Sequence, residues 1–189
     1  MGVDNAQNRY HRCNEISTMK KEINAEDIKN FLRRDGFNSN FSVGVSEFCP
    51  YGEGRRIDMF YFNRWNRETR GYEIKISRAD FLQDKKWESY LKFCNWFYFV
   101  APMGVIDPKE LPENIGLIEV DIVERFRDPY SDYNLNKGRE EDDERKFDLT
   151  RKFVKRAKRL PDLEEKEYIK LLEGLLIKVI YEKNLLINT

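Results

Sequence analysis

The sequence predicts an α/β fold: a mixed sheet flanked by helices, in the order α-β-β-β-α-β-β, followed by a C-terminal helical extension. Three observations predict it. A helical pattern near the start precedes three short strand-like runs. A second helical pattern then separates the third run from "WFYFVAP", a continuous aromatic and β-branched stretch closed by Pro102. Such a stretch fits a strand buried on both faces, as in a parallel sheet.

The elements follow in order. In "NAEDIKNFLRRDGF", Asn24 is the N-cap, Glu26 and Asp27 occupy the first turn, and Gly36 is the stop. Ile28, Phe31 and Leu32 form its apolar stripe. "FSVGVSEF" alternates, with Phe41, Val43 and Val45 on one face. "RIDMFYF" follows the glycine-containing turn "YGEG", and "TRGYEIKIS" follows "NRWNRE". "RADFLQDKKWESYLKFC" has no Gly or Pro and reads as a helix of about four turns. It is the natural crossover into the parallel strand "WFYFVAP". "GLIEVDIV" is the last strand, ending the domain near Val123.

These runs divide the chain into a tail (1–22), an α/β domain (23–123), a charged linker (124–146) and a helical region (147–189). The linker contains "EEDDE", read as a solvated acidic run because contiguous acids cannot all face one ion. The basic segment Lys146–Arg159 reads as an amphipathic helix with Phe147, Phe153 and Val154 inward. Its Lys155, Arg156 and Lys158 are candidate DNA contacts. Beyond Pro161, a long helix carries Tyr168, Leu172, Leu175 and Val179 on one face, widened by Ile169, Leu176 and Ile180. That stripe is core, or the interface of a homodimer or protein partner.

Composition narrows the chemistry. The 34 basic and 34 acidic residues cancel, so any nucleic-acid surface must be a local patch. Thirteen Phe and ten Tyr argue against general disorder. The N-terminus lacks the apolar core of a signal peptide, and no apolar run is long enough to span a bilayer. Cys13, Cys49 and Cys94 share no metal-ligand spacing and read as reduced cytoplasmic thiols. The single histidine, His11, lies in the polar tail. Serine–histidine and cysteine–histidine hydrolases and histidine-rich zinc sites are thereby disfavoured, leaving carboxylates and lysine to do any chemistry.

Those groups occur where strands should be apolar. In "GYEIKIS", Tyr72, Ile74 and Ile76 point one way, and Glu73 and Lys75 the other. Asp58 interrupts "RRIDMFYF", although Asp is depleted in strands and costly to bury. A hairpin through "NRWNRET" would set Asp58 beside Glu73. Two close carboxylates repel unless a cation lies between them, and Mg²⁺ or Mn²⁺ suits oxygen ligands.

Asp58 followed by Glu73-Ile74-Lys75, in this order of elements, resembles the PD-(D/E)XK nuclease superfamily with its restriction-endonuclease-like fold. "GRRIDM", "EIKISRADFLQDKKWESYLKFCNWFYFV" and "IGLIEVD" together are similar to MmcB-like DNA repair proteins. The resemblance covers roughly residues 41–121, and Ile57 stands where the superfamily pattern has Pro. It implies metal-dependent hydrolysis of DNA phosphodiesters. Asp58, Glu73 and Lys75 match the catalytic set. Asp58, Glu73 and the Ile74 carbonyl would hold Mg²⁺ or Mn²⁺, with Glu47 as a further acid and Glu53 as its alternative. Lys75, beside two carboxylates, should stay protonated and act electrostatically. Ser77 would cap the following helix, whose N-terminus attracts anions. Arg55, Arg56, Arg78, Lys85 and Lys86 are candidate DNA contacts, Asp80 and Asp84 should pair with basic neighbours one turn away, and Trp87 and Tyr90 should be core. The alternatives are a nuclease-fold binding or assembly module and a purely structural ion network.

Overall fold

The computed structural model describes residues 22–36, 42–126 and 145–187. One six-stranded mixed sheet organises them, with strands in chain order β1-β2-β3-β4-β5-β6. The strands are β1 (Ser42–Phe48), β2 (Ile57–Asn63), β3 (Thr69–Ile74), β4 (Trp96–Pro102), β5 (Gly116–Phe126) and β6 (Arg145–Lys155). Hairpins make β1–β2–β3 antiparallel. Crossovers make β3–β4–β5 parallel, and β6 returns antiparallel to β5. The predicted tail, through residue 21, and Phe41 lie outside the described residues, as does most of the charged linker.

Helix α1 (Ala25–Gly36) starts and stops where its residues dictate. Asn24 Oδ1 accepts from the Asp27 amide at 2.9 Å, and Asp27 Oδ2 accepts from the Asn24 amide at 3.2 Å. Its Ile28, Phe31 and Leu32 cover one sheet face, against Met59, Tyr61, Tyr72, Ile74, Val100 and Ile118. The other face carries a larger core in which Phe48, Phe60, Phe97 and Phe99 meet Tyr90 and Phe93. Trp87 packs on Phe97 and Phe99, at ring separations of 6.0 and 5.4 Å. Trp87 and Tyr90 are therefore core, as expected.

Three readings are corrected. The four-turn crossover helix is two pieces: α2 (Arg78–Gln83) and a 3-10 segment, Trp87–Phe93. Asp84 ends α2 in an extended conformation, and its Oδ1 accepts from the Lys86 amide at 2.7 Å. An Asx-type bond thus replaces the next helical turn. Residues 147–155 form strand rather than helix, so the sheet extends past Val123. Alternation explains it, because Leu149 joins the α1-side core and Phe153 packs edge-on to Tyr98 at 5.9 Å. Two of the segment's lysines are engaged as well. Lys155 Nζ donates to the Leu111 and Pro112 carbonyls at 2.7 and 2.8 Å, and Lys158 pairs with Glu113.

Helix α3 (Glu165–Ile187) is present and divides its predicted stripe between core and surface, with the Val179 side chain outside the described residues. It buries Leu171 and packs Tyr168 and Leu175 against the larger core. Ile169, Leu172, Leu176, Ile177, Ile180 and Tyr181 are exposed. Gly174 sets this rotation: a Cβ there would lie 2.7 Å from the Cys49 carbonyl oxygen. Glu53 is part of the same junction, bonded to Lys92 at 2.9 Å and Lys170 at 3.3 Å, which gives it a structural role.

Candidate active site

The register assembles the predicted residues. Filling the skipped position of the β1–β2 ladder, between Ser46↔Met59 and Phe48↔Ile57, and extending the β2–β3 ladder by one sets Glu47, Asp58 and Glu73 opposite one another across three adjacent strands. Lys75 follows Glu73 just past β3, where its amide donates to the Val100 carbonyl at 3.0 Å. All lie at the end of the sheet where Ser77 caps α2, its Oγ accepting from the Asp80 amide at 3.2 Å.

Asp58 reaches across to the next strand: its Oδ2 accepts from the Ile74 amide at 2.7 Å. Burial nonetheless pushes its carboxyl above the ordinary range, against that hydrogen bond and the charge of Lys29. Glu73 is 7% exposed, and its Oε2 has no hydrogen-bond partner among the described residues. Burial, then the charge of Asp58, pushes Glu73 up to about 8, although Lys75 lies 3.1 Å away. That ammonium has a closer counter-ion, Asp84 Oδ2 at 2.6 Å, with Asp80 Oδ1 at 3.8 Å. Burial pulls Lys75 down, but the bonds to Asp84 and Glu73 outweigh it and hold the amine protonated. The same bond holds Asp84 low despite its own burial.

Asp84 is the residue sequence reasoning missed as a member of the site. Its expected partner was a base one helical turn away; its actual partner comes from β3. Asp80 likewise turns toward Lys75. Glu47 has a left-handed φ of 50°, and on either side of it Val45 and Phe48, three apart, both enter the larger core. The Glu47 carboxylate is ion-paired with Lys29 of α1.

The acids do not form a ready-made cage: among the described residues, no three His, Cys, Asp or Glu side chains are gathered as a metal-ligand group. Lys29 holds Glu47, and the Ile74 amide holds Asp58. What fits a hard cation is the pair itself. Two facing carboxylates, one with a buried oxygen lacking a donor, match an ion that takes one or two carboxylates and completes its shell with water and phosphate.

The predicted DNA contacts divide. Arg78 is committed to both carboxylate oxygens of Glu110, in the 3-10 turn Pro108–Glu110, and lies over the Phe81 ring at 5.5 Å. Arg55 donates to Ser89 Oγ at 3.2 Å. Arg56, Lys85 and Lys86 are exposed, and no carboxylate pairs with them among the described residues.

Two acids and a lysine at the end of a mixed sheet fit one class, the restriction-endonuclease-like PD-(D/E)XK superfamily, and the family that this chain matches lies within it. More narrowly, the chain belongs to the MmcB-like DNA repair protein family, whose model matches residues 28–165. The match extends through β6, in agreement with the sheet's true extent. A protein of unknown function from Silicibacter pomeroyi, SPO1766, has a similar fold, with TM-score 0.55 and 23% identity over 86% of this chain and 87% of that one. Among curated proteins none matches. No helix among the described residues is long and apolar enough to cross a membrane.

Proposed function

We propose that this chain is a Mg²⁺- or Mn²⁺-dependent deoxyribonuclease that hydrolyses DNA phosphodiester bonds in repair, recombination or phage DNA processing. The observation that carries this reading is the Asp58–Glu73 pair with its partnerless buried oxygen, set beside an ammonium fixed by Asp84. Asp58, Glu73 and the Ile74 carbonyl would hold the cation. When bound, the cation polarises the phosphate and lowers the pKa of its water toward hydroxide.

The chain's own groups supply the rest. Lys75 stays charged across the neutral range and sits 5% exposed, where a positive charge acts strongly on an incoming phosphate. Asp84 aims Lys75 and leaves Glu73 without its full influence. Arg56, Lys85 and Lys86 are the exposed cations of this end able to meet the flanking backbone. Glu47 joins only if Lys29 releases it.

Membership in a DNA repair family and the exposed apolar face of α3 also support a second reading, an assembly module. One assay separates the two. Linear, circular, single-stranded and branched DNA are incubated with Mg²⁺, Mn²⁺ or chelator, beside Glu73→Ala and Lys75→Ala. Metal-dependent cleavage lost in both variants supports the nuclease. Equal product from wild type and variants, or binding without cleavage under every condition, rejects it.

A further inference from the structure

The sheet face that α1 only partly covers carries a second basic surface. Arg70 and Tyr72 alternate onto this face from β3. An aromatic row crosses the strands. Tyr72 stacks on Tyr98 at 5.7 Å and 18°, and Tyr98 meets the Phe153 ring edge-on at 5.9 Å. Phe153, on β6, is 39% exposed. The guanidinium groups of Arg151 and Arg156 lie over its ring at 5.5 and 5.3 Å.

Several surface cations are already committed. Arg33, Arg78, Lys158 and Arg159 each meet a carboxylate. Among the described residues no carboxylate pairs with Arg70 or Arg156. Arg70 is hydrogen-bonded to Tyr72, and Arg156 sits over Phe153. A cation with no acid beside it is available to an anion, and a base can stack on an exposed ring or on the guanidinium that lies over it.

We propose that this face binds single-stranded DNA, with the backbone along Arg70 and Arg156 and bases against Tyr98 and Phe153. A duplex offers a flat sheet its phosphates but keeps its base faces stacked inside. A single strand offers both, which is the pairing of charge and stacking that such strands use. From β3 to β6 is three strand spacings, about 14 Å. That spans up to about four nucleotides at the 3.4 Å rise of a stacked strand. The site needs neither Glu73 nor a metal ion, so it is independent of the hydrolytic reading.

The experiment is fluorescence anisotropy of labelled oligo-dT with the full chain, in chelator, over a range of salt. Phe153→Ala is expected to weaken binding about tenfold or more. Arg70→Gln and Arg156→Gln are each expected to reduce the log–log salt slope by about 0.7. Both arginines are exposed, so unchanged thermal melts will show that these two variants fold. Unchanged affinity and slope in the arginine variants overturns the proposal. So does equal affinity for a duplex of the same length, or displacement by polyglutamate as effective as by unlabelled oligo-dT.

Discussion

Replacing Glu73 by Gln should remove a large part of the protein's sensitivity to alkaline pH. Glu73 is buried beside Asp58 and is raised from 4.5 to about 8 in the folded chain. Because the folded-state value is the higher one, its contribution to stability is complete below about pH 4.5. It is then lost as pH rises through about 8. Each tenfold difference in proton affinity is worth about 1.4 kcal/mol. Between pH 5 and pH 9 the loss sums to about 4 kcal/mol, which for a chain of this size corresponds to about 8–16 °C in melting temperature. Glutamine keeps the shape and carries no charge, while Lys75 keeps Asp84 as its counter-ion. The assay is thermal or urea unfolding of wild type and Glu73→Gln in chelator at intervals across that range. The two curves should converge near pH 5, separate up to about pH 8 and level off above it, with the variant the more stable. Parallel curves would refute the inference that Glu73 is destabilised by burial and by Asp58.

Four other substitutions test the architecture. Asp84→Asn removes the 2.6 Å partner of a buried ammonium. It should cost about 3–5 kcal/mol in urea unfolding and lower any DNA cleavage rate, and a cost under about 1 kcal/mol would contradict the role assigned to Asp84. Gly71→Ala would place a Cβ 2.7 Å from Cys94 Sγ and 3.0 Å from the Phe97 ring. Overpacking at that site should cost about 1–3 kcal/mol, measurable as a lower urea midpoint at unchanged m-value. Along α3, Leu171→Ala should cost about 2–5 kcal/mol, whereas Leu176, 61% exposed, should tolerate Ala within about 0.5 kcal/mol. The reverse order would mean that the helix packs through its other face.

How much of this was legible in the sequence depends on whether a residue broke a local rule. Asp58 in an apolar strand, and Glu73 and Lys75 alternating with Tyr72, Ile74 and Ile76, conflict with strand propensity, and that conflict drew attention to them. The register then puts Asp58 opposite Glu73, as a hairpin requires. Strand β6 was hidden for the opposite reason. Leu149, Arg151 and Phe153 alternate with Asp148, Thr150 and Lys152, but the density of charge made the segment read as a solvated helix. Asp84 broke no rule at all. An acid after a helical run, with no Gly or Pro nearby, reads as an ordinary exposed position. Only the fold shows that α2 stops there and that the carboxylate meets Lys75 from another element. The site itself gathers three departures at one end of the sheet: a left-handed φ at Glu47, a carboxylate at Glu73 driven toward its neutral form, and an ammonium at Lys75 that is almost wholly buried. Each opposes folding on its own. A cation between Asp58 and Glu73 would relieve the repulsion and supply the donor-starved oxygen, so the same arrangement that weakens the free protein is what would give the bound state its strength.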